Sequence, residues 1–439
     1  RPSGTEPKLK LYYQVKAKGE NDAEKLLQEV KISVEENLIN NMYEYIENFK
    51  RLGFGMFIHF GLYSVIGRGE WYYMQYVPDK NEYESTINKF KITKNWAKNL
   101  VKTAKDAGCK YITLTTRHHD GFSLYDTCGL SEFDAPHSLT GRDLIREFVD
   151  ECNKEGIIPF FYHTLLDWHN PDYNNDFPKY IDYLDKSIEI LCKNYGKIGG
   201  FWFDGMWDKP NEDWQEDRIY GTIRKYQPEA MIINNTGLNA LGQTGHIEID
   251  SVTFERGKPA FVDTSEKPIA GEVCDALTDH WGYAKYDICL KSPKELIETL
   301  IDCRKYDCNL LLNSGLKGNG KMDEGEKAAF KRIGMWIKEN KNFIYNAKST
   351  DLTAENADMM TDGEYYYAAI KGVLMSANCN VAKFGESKTV TLNTDKRIVD
   401  AEWLDSGREI NLKTDKSFVC EPFEYGKSLA VRVAKFKLK

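Results

Sequence analysis

From Leu52 to about Asn346 the chain alternates short apolar runs with amphipathic stretches of helical period, and a repeat of that kind leaves few folds open. The runs Phe54 to His59, Tyr111 to Thr115, Ile157 to Tyr162, Phe201 to Asp204, Met231 to Asn234 and Cys308 to Leu312 have the length of buried strands. Between several of them, apolar residues recur on one helical face, as in Trp96 to Ala107, Leu144 to Glu155 and Tyr180 to Tyr195. Parallel strands need long crossovers, and a helix is the usual one. Roughly 300 residues of such units predict an α/β fold, a (β/α)8-type barrel, over residues 41–346. After Asn346, Tyr365 to Ile370, Thr389 to Leu392, Ala401 to Leu404 and Ala430 to Val433 are short β-like runs between polar turns. They predict a C-terminal antiparallel β-sandwich over residues 347–439, which holds no acid and base cluster and is expected to support rather than perform chemistry.

The first forty residues look foreign to this pattern. The opening Arg1-Pro2-Ser3-Gly4-Thr5-Glu6-Pro7-Lys8 resembles the phosphate-binding loop in the last domain of phosphohexomutases. Leu9, Leu11, Tyr13 and Val15 then alternate as in a strand, and Ala23, Leu26, Leu27, Val30, Val34 and Leu38 recur at helical spacing. A mutase also draws a phosphoserine and a metal site from other domains, and no such region is present. Residues 1–40 therefore read as a passenger segment, a fusion scar or a fragment of a neighbouring gene.

Charge narrows the partners. The net charge is −8 with no basic stripe, which argues against nucleic acid and anionic membrane surfaces. No apolar run reaches the roughly 18 residues of a membrane span, and no signal peptide opens the chain, so a cytoplasmic location is expected; the start at Arg1 rather than Met leaves a removed leader open. The 10 cysteines are scattered, as free buried thiols are, and Cys303 and Cys308 lack a second pair at metal spacing. With 26 Tyr and 9 Trp the chain suits a protein that stacks rings on apolar ligand faces, sugars among them, although a large core would use aromatics too.

The strand ends carry the chemistry. Gly199-Gly200-Phe201-Trp202-Phe203 stops at Asp204, followed by Gly205. Barrel enzymes hold their catalytic groups at the C-terminal ends of strands, so Asp204 stands where a nucleophile would; the competing role is a cap on the next helix. A second strand ends in His59, with Glu70-Trp71 in the loop beyond it. A third runs into Arg117-His118-His119-Asp120-Gly121, and a fourth, ending Tyr162-His163, leads to Asp167-Trp168-His169. Imidazoles, a carboxylate and an indole at one rim can bind vicinal hydroxyls and cover an apolar sugar face. Each could singly be a core residue, but core roles do not explain their gathering at one end. The histidine pair has no third ligand at metal spacing, so hydroxyl recognition is expected and no metal.

The segments Gly55-Met56-Phe57-Ile58-His59-Phe60-Gly61-Leu62-Tyr63-Ser64, Glu70-Trp71-Tyr72, His118-His119-Asp120-Gly121-Phe122 and Trp202-Phe203-Asp204-Gly205 resemble glycoside hydrolase family 29, the retaining α-L-fucosidases. Trp281-Gly282-Tyr283 and Asn309-Leu310-Leu311-Leu312-Asn313 are similar to it as well, and the order holds from about residue 50 to 345. The resemblance implies a barrel catalytic domain, a C-terminal β-sandwich, no cofactor, and fucosylated oligosaccharides or glycoconjugates as partners; a homo-oligomer is compatible with it. By motif it implies Asp204 as nucleophile, His59, Glu70, Trp71, His118, His119, Tyr162 and Trp202 in the fucose pocket, and Arg256 as the pocket arginine. The acid/base falls in a variable stretch. Glu272, ahead of Trp281-Gly282-Tyr283, is the first candidate, with Gly271 where the family has tryptophan, and Glu255 in Phe254-Glu255-Arg256-Gly257 is the second. The expected reaction is removal of terminal fucose with retention. The rivals are a fucose-binding, lectin-like protein without turnover and a retaining glycosidase for another sugar, such as an α-galactosidase.

Overall fold

The computed structural model of the chain describes residues 14–17, 19–76, 79–265, 267–377, 380 and 385–439. Eight parallel strands pair in chain order: β1 Phe54–His59, β2 Tyr111–Arg117, β3 Ile158–Thr164, β4 Gly200–Asp204, β5 Met231–Asn234, β6 Ser251–Thr253, β7 Ala270–Ala276 and β8 Cys308–Gly315. β8 returns to β1, with Phe54 opposite Leu310 and His59 opposite Gly315, and the barrel is closed. β6 and β7 carry no apolar run to betray them. β6 is 3 residues long, and β7 reads Ala-Gly-Glu-Val-Cys-Asp-Ala, buried although it holds a glutamate.

The helices that wrap the barrel start where polar side chains satisfy the free N–H groups of a first turn. Asp143 caps Leu144–Glu155, Asp176 caps Phe177–Asn194, Asp323 caps Glu324–Glu339, and Ser292 with Glu295 forms a capping box on Pro293–Lys305. Inside, Phe57, Tyr111, Phe160, Tyr162, Trp202, Met231 and Leu311 make one apolar cluster. Gly55 is needed there, because a Cβ at that position would stand 2.3 Å from the Tyr111 ring. The helix Glu44–Leu52 closes the N-terminal end of the barrel, with Phe49 packed 5.5 Å from Tyr111 and 5.6 Å from Phe160. It is pinned by Tyr45, whose hydroxyl donates to Asp250 Oδ1 at 2.9 Å. Asp250 is fully buried and also accepts from Arg224 (2.6 Å), Lys267 (3.3 Å) and the Ile232 amide (2.9 Å).

Of the foreign-looking start, the expected phosphate loop Arg1 to Lys8 and the positions Leu9, Leu11 and Tyr13 lie outside the described residues; Val15 belongs to no strand. The helix Glu20–Met42 is present, and its Leu26 and Leu27 are exposed.

Beyond the helix Lys341–Asn346 come β9 Thr353–Glu355, β10 Asp358–Thr361, β11 Tyr366–Lys371, β12 Lys388–Asn393, β13 Ile398–Trp403, β14 Leu412–Thr414, β15 Ser417–Cys420 and β16 Val431–Leu438. They form two four-stranded antiparallel sheets, β10-β11-β16-β13 and β14-β15-β12-β9, around Ile370, Val390, Trp403, Phe418 and Phe436. Trp336 ties this sandwich to the barrel by donating to the Val431 carbonyl at 3.0 Å. Among the described residues the cysteines are unbridged, and no helix is long and apolar enough to cross a membrane.

Removing one member of a buried ion cluster strands its partners, at about 3–5 kcal/mol. Asp250→Ala leaves Arg224 and Lys267 without their shared carboxylate, so urea denaturation is expected to give a stability loss of that size; a loss under about 1 kcal/mol would mean the cluster does not hold the barrel's floor.

Candidate active site

At the C-terminal end of the barrel lies a cavity of about 620 Å³ whose walls are the residues at and just past the strand ends. Asp204 is the last residue of β4. Gly205 takes φ +99°, a conformation open to glycine, and turns the chain away so that the carboxylate faces the cavity. The short helix that follows, Met206–Asp208, has no side-chain cap, which removes the capping role for Asp204. Its carboxylate instead collects side chains: Oδ2 accepts from the Tyr162 hydroxyl (3.0 Å) and stands 3.5 Å from His119 Nε2, while Oδ1 accepts from Trp207 Nε1 (3.0 Å) and Asn235 Nδ2 (3.2 Å). Burial alone would raise its pKa, but hydrogen bonding and attraction from His119, with the bonds from Trp207 and Tyr162, outweigh it and hold the carboxyl below the ordinary aspartate value.

The second carboxylate is Glu255. Asn235, directly after β5, donates through the same Nδ2 to Glu255 Oε2 at 2.7 Å, so the two carboxylates lie within about 6 Å of each other. Glu255 is aimed inward because the chain past β6 continues the ladder: the Phe254 amide donates to the Glu272 carbonyl and the Arg256 amide to the Cys274 carbonyl, each at 2.9 Å. Burial first, then the charge of Asp204, push the Glu255 pKa up, against the hydrogen bond from Asn235. Arg256 turns the chain at φ +49°, lays its guanidinium 4.7 Å from the Trp281 ring centroid and donates to the Asp279 carbonyl at 2.9 Å.

Glu272, the first candidate for acid/base, is placed elsewhere. Thr253 faces Glu272 across β6 and β7, so Glu255 stands two residues, about 7 Å, nearer the rim. Glu272 is 1% exposed and does not line the cavity. Its Oε1 accepts from Trp202 Nε1 at 2.9 Å and its Oε2 from the Tyr111 hydroxyl. Burial pushes its pKa up to about 7 against those two bonds, a value that would suit an acid, but both its oxygens are engaged below the cavity.

His59, Glu70, Trp71, His118, His119, Tyr162, Trp202 and Arg256 all line the cavity. Asn313 Nδ2 donates to the Trp281 carbonyl (2.7 Å), leaving its Oδ1 to accept from His59 Nδ1 (2.7 Å), so Nε2 of a neutral His59 carries a lone pair. Burial lowers the His59 pKa to about 3 and that of His118 well below the usual range, and both rings are uncharged. The His118 ring stacks on Tyr162 (5.4 Å, 11°), and Glu70 Oε2 accepts from the Gly282 amide at 2.7 Å. Asp120 and His163 turn away, toward the Tyr83 hydroxyl (2.6 Å) and Ser187 (2.9 Å). Phe57, Trp207, Asn235 and Trp281 line the cavity as well, with residues 236–239 and Asp279. Asn235 follows a strand directly and Trp207 lies three residues past Asp204, so the strand-end rule that singles out Asp204 also reaches them. On the loop after β7, Asp279, Asp287 and Cys289 bring ligand atoms within 4.8 Å of one another, but Asp287 already accepts from His280 and from backbone amides.

A family model described as alpha-L-fucosidase matches residues 22–342. The tissue alpha-L-fucosidase of Bos taurus is 25% identical over 341 residues, 70% of this chain and 70% of that one. Among solved structures, alpha-L-fucosidase isoenzyme 1 from Paenibacillus thiaminolyticus superposes with a TM-score of 0.79 at 30% identity, covering 91% of this chain and 99% of its own. A GH29 alpha-L-fucosidase from Bacteroides thetaiotaomicron, held as a trapped covalent intermediate with 2-fluoro-fucosyl fluoride, gives a TM-score of 0.74 at 23% identity, covering 89% of this chain and 95% of its own.

Because the folded Glu272 keeps its proton to higher pH than an unfolded glutamate, its favourable contribution at low pH is lost as pH rises from the ordinary value through about 7. Between pH 5 and pH 8 the wild type is expected to lose about 2.5 kcal/mol relative to Glu272→Gln in urea denaturation. Parallel pH dependence of the two proteins would place Glu272 in a solvated setting.

Proposed function

The chain belongs to the alpha-L-fucosidase family of glycoside hydrolases, and on that premise we propose that it is a retaining exo-α-L-fucosidase, releasing terminal α-L-fucose from fucosylated oligosaccharides or glycoconjugates through a fucosyl ester of Asp204. The observation that carries this reading is the pair Asp204 and Glu255, bridged by one amide at a separation suited to retention; inversion needs about 6.5–9.5 Å, with room for a water. The trapped covalent intermediate of the Bacteroides enzyme lends it weight.

In the first step the Asp204 carboxylate attacks the anomeric carbon, and Glu255, kept protonated by burial and by the charge of Asp204, gives its proton to the leaving oxygen. Ester formation neutralises Asp204. With that charge gone Glu255 ionises more readily and takes the proton of the water that opens the ester, which restores both groups. The two carboxyl groups and water account for every proton and electron pair in the cycle. Neutral His59 and His118 offer lone pairs and N–H groups to the ring hydroxyls, and Phe57 and Trp281, 6.1 Å apart, form an apolar slot for the C5 methyl group. Residues 1–40 take no part in these steps.

Asp204→Gly should lower kcat by about a thousandfold or more, with azide restoring part of the turnover and giving the inverted fucosyl azide. Glu255→Ala should slow poor leaving groups far more than activated aryl fucosides, and here azide should give the retained product. The wild-type rate should fall as pH rises through the raised Glu255 value, a limb the Glu255→Ala protein lacks, and the acidic limb should lie below the ordinary aspartate range. Near-normal activity in Asp204→Gly, or an intact basic limb in Glu255→Ala, would overturn the assignment. Deleting residues 1–40 should leave kcat/KM for an aryl fucoside within about threefold. A folded truncation weakened a hundredfold would show that the segment belongs to the active architecture.

A further inference from the structure

Beside the catalytic cavity lies a second one of about 390 Å³, and the two share Glu70, Trp71 and Asp279. Its floor is a bridge between two rim loops. The Gly69 amide donates to the Tyr283 carbonyl (3.1 Å) and the Lys285 amide to the Gly67 carbonyl (2.8 Å), which ties the loop after β1 to the loop after β7. Above this floor stand rings that the core does not use. Tyr76 is 60% exposed and Tyr286 83%. The Arg68 guanidinium lies 4.9 Å from the Tyr72 ring centroid and 5.0 Å from that of Tyr76, and these two rings stack at 25°.

We infer that this groove is an oligosaccharide subsite, which holds the neutral sugar chain to which the fucose is attached. The inference rests on the reading of Asp204 and Glu255 given above. Arg256, next in sequence to the proton donor, reaches the Asp279 carbonyl at 2.9 Å, and Asp279 is a wall common to both cavities. A leaving group protonated by Glu255 therefore has the groove as its continuation. Flat tyrosine rings exposed in a cleft suit the C–H faces of pyranoses, and large exposed apolar groups beside a site mark recognition more often than chance. The backbone groups of the bridge are already paired with each other, so recognition falls to side chains. Arg68 can donate to sugar hydroxyls and the Asp279 carboxylate can accept from them, and with Glu70 and Asp287 also in the lining, carboxyl groups outnumber the one guanidinium, which disfavours an anionic ligand.

The double variant Tyr76→Ala/Tyr286→Ala tests this with two substrates. For 4-nitrophenyl α-L-fucoside, which ends at one ring beyond the fucose, kcat/KM should stay within about twofold of wild type. Against oligosaccharides carrying fucose in α1,2, α1,3, α1,4 or α1,6 linkage, kcat/KM for the best wild-type substrate should fall about tenfold, mostly through KM. Titration of N-acetyllactosamine into fucose-saturated protein, followed by NMR, should show binding that the variant weakens by a similar factor. Unchanged oligosaccharide kinetics and unchanged titration would overturn the subsite, and so would equal losses on both substrates, which would make the tyrosines part of the fold or of the fucose pocket. A wild-type protein that turns over no fucoside would sink the proposed function instead, and the titration would still decide whether the groove binds sugar.

Discussion

In a parallel barrel the height at which an inward side chain stands is set by strand register, and the register is locked once β8 pairs with β1. The active site follows from that closure. Trp202 and Glu272 belong to a lower layer with Tyr111, where the carboxyl accepts from the indole and the phenol. Two residues on along β4, and two residues past the end of the β6 pairing, Asp204 and Glu255 reach the rim. A slip of one residue would turn either carboxylate out of the barrel, and a slip of two would move it down a layer. The layers are also coupled by packing, since Trp202 stacks on Tyr162 (5.7 Å, 19°) and the Tyr162 hydroxyl donates to Asp204.

Within the rim, two carboxyls of similar intrinsic strength are driven apart by what surrounds them. Asp204 stands among donors from four side chains, enough to overcome burial. Glu255 keeps one donor, is partly desolvated and faces the charge of Asp204. Asn235 serves both, and its amide fixes their separation while its Oδ1 accepts from Thr253 at 3.0 Å. Glu272 is a warning from the same barrel. Its place ahead of Trp281-Gly282-Tyr283 made it the first candidate and burial raises its pKa, yet the bonds that bury it also occupy it. A perturbed pKa points to a site only when geometry gives it access.

The parts divide by function. Strands and capped helices supply a rigid frame, the β-sandwich braces helices of the barrel through contacts such as Trp336 to Val431, and among the described residues no side chain of the sandwich lines the cavity. What surrounds the cavity mouth comes from loops, the ones after β1 and β7 joined by a short bridge. Loops vary at little cost to the frame.

Local pattern determined much of this protein. The apolar runs gave six of the eight barrel strands, glycine after a strand marked Asp204 and His59, and side chains at those ends proved to line one cavity, as barrels require. β6 and β7 escaped because one is too short to show a period and the other hides a glutamate in a buried strand. Without those strands the register between them was invisible, and Glu272 could not be told from Glu255. The choice between the two belonged to the tertiary structure alone. Which carboxylate meets Asp204 depends on the pairing of β6 with β7 and on an asparagine from β5, and both the ladder and the desolvation that shifts the pKa values come from neighbours distant in the chain, which no local pattern can carry.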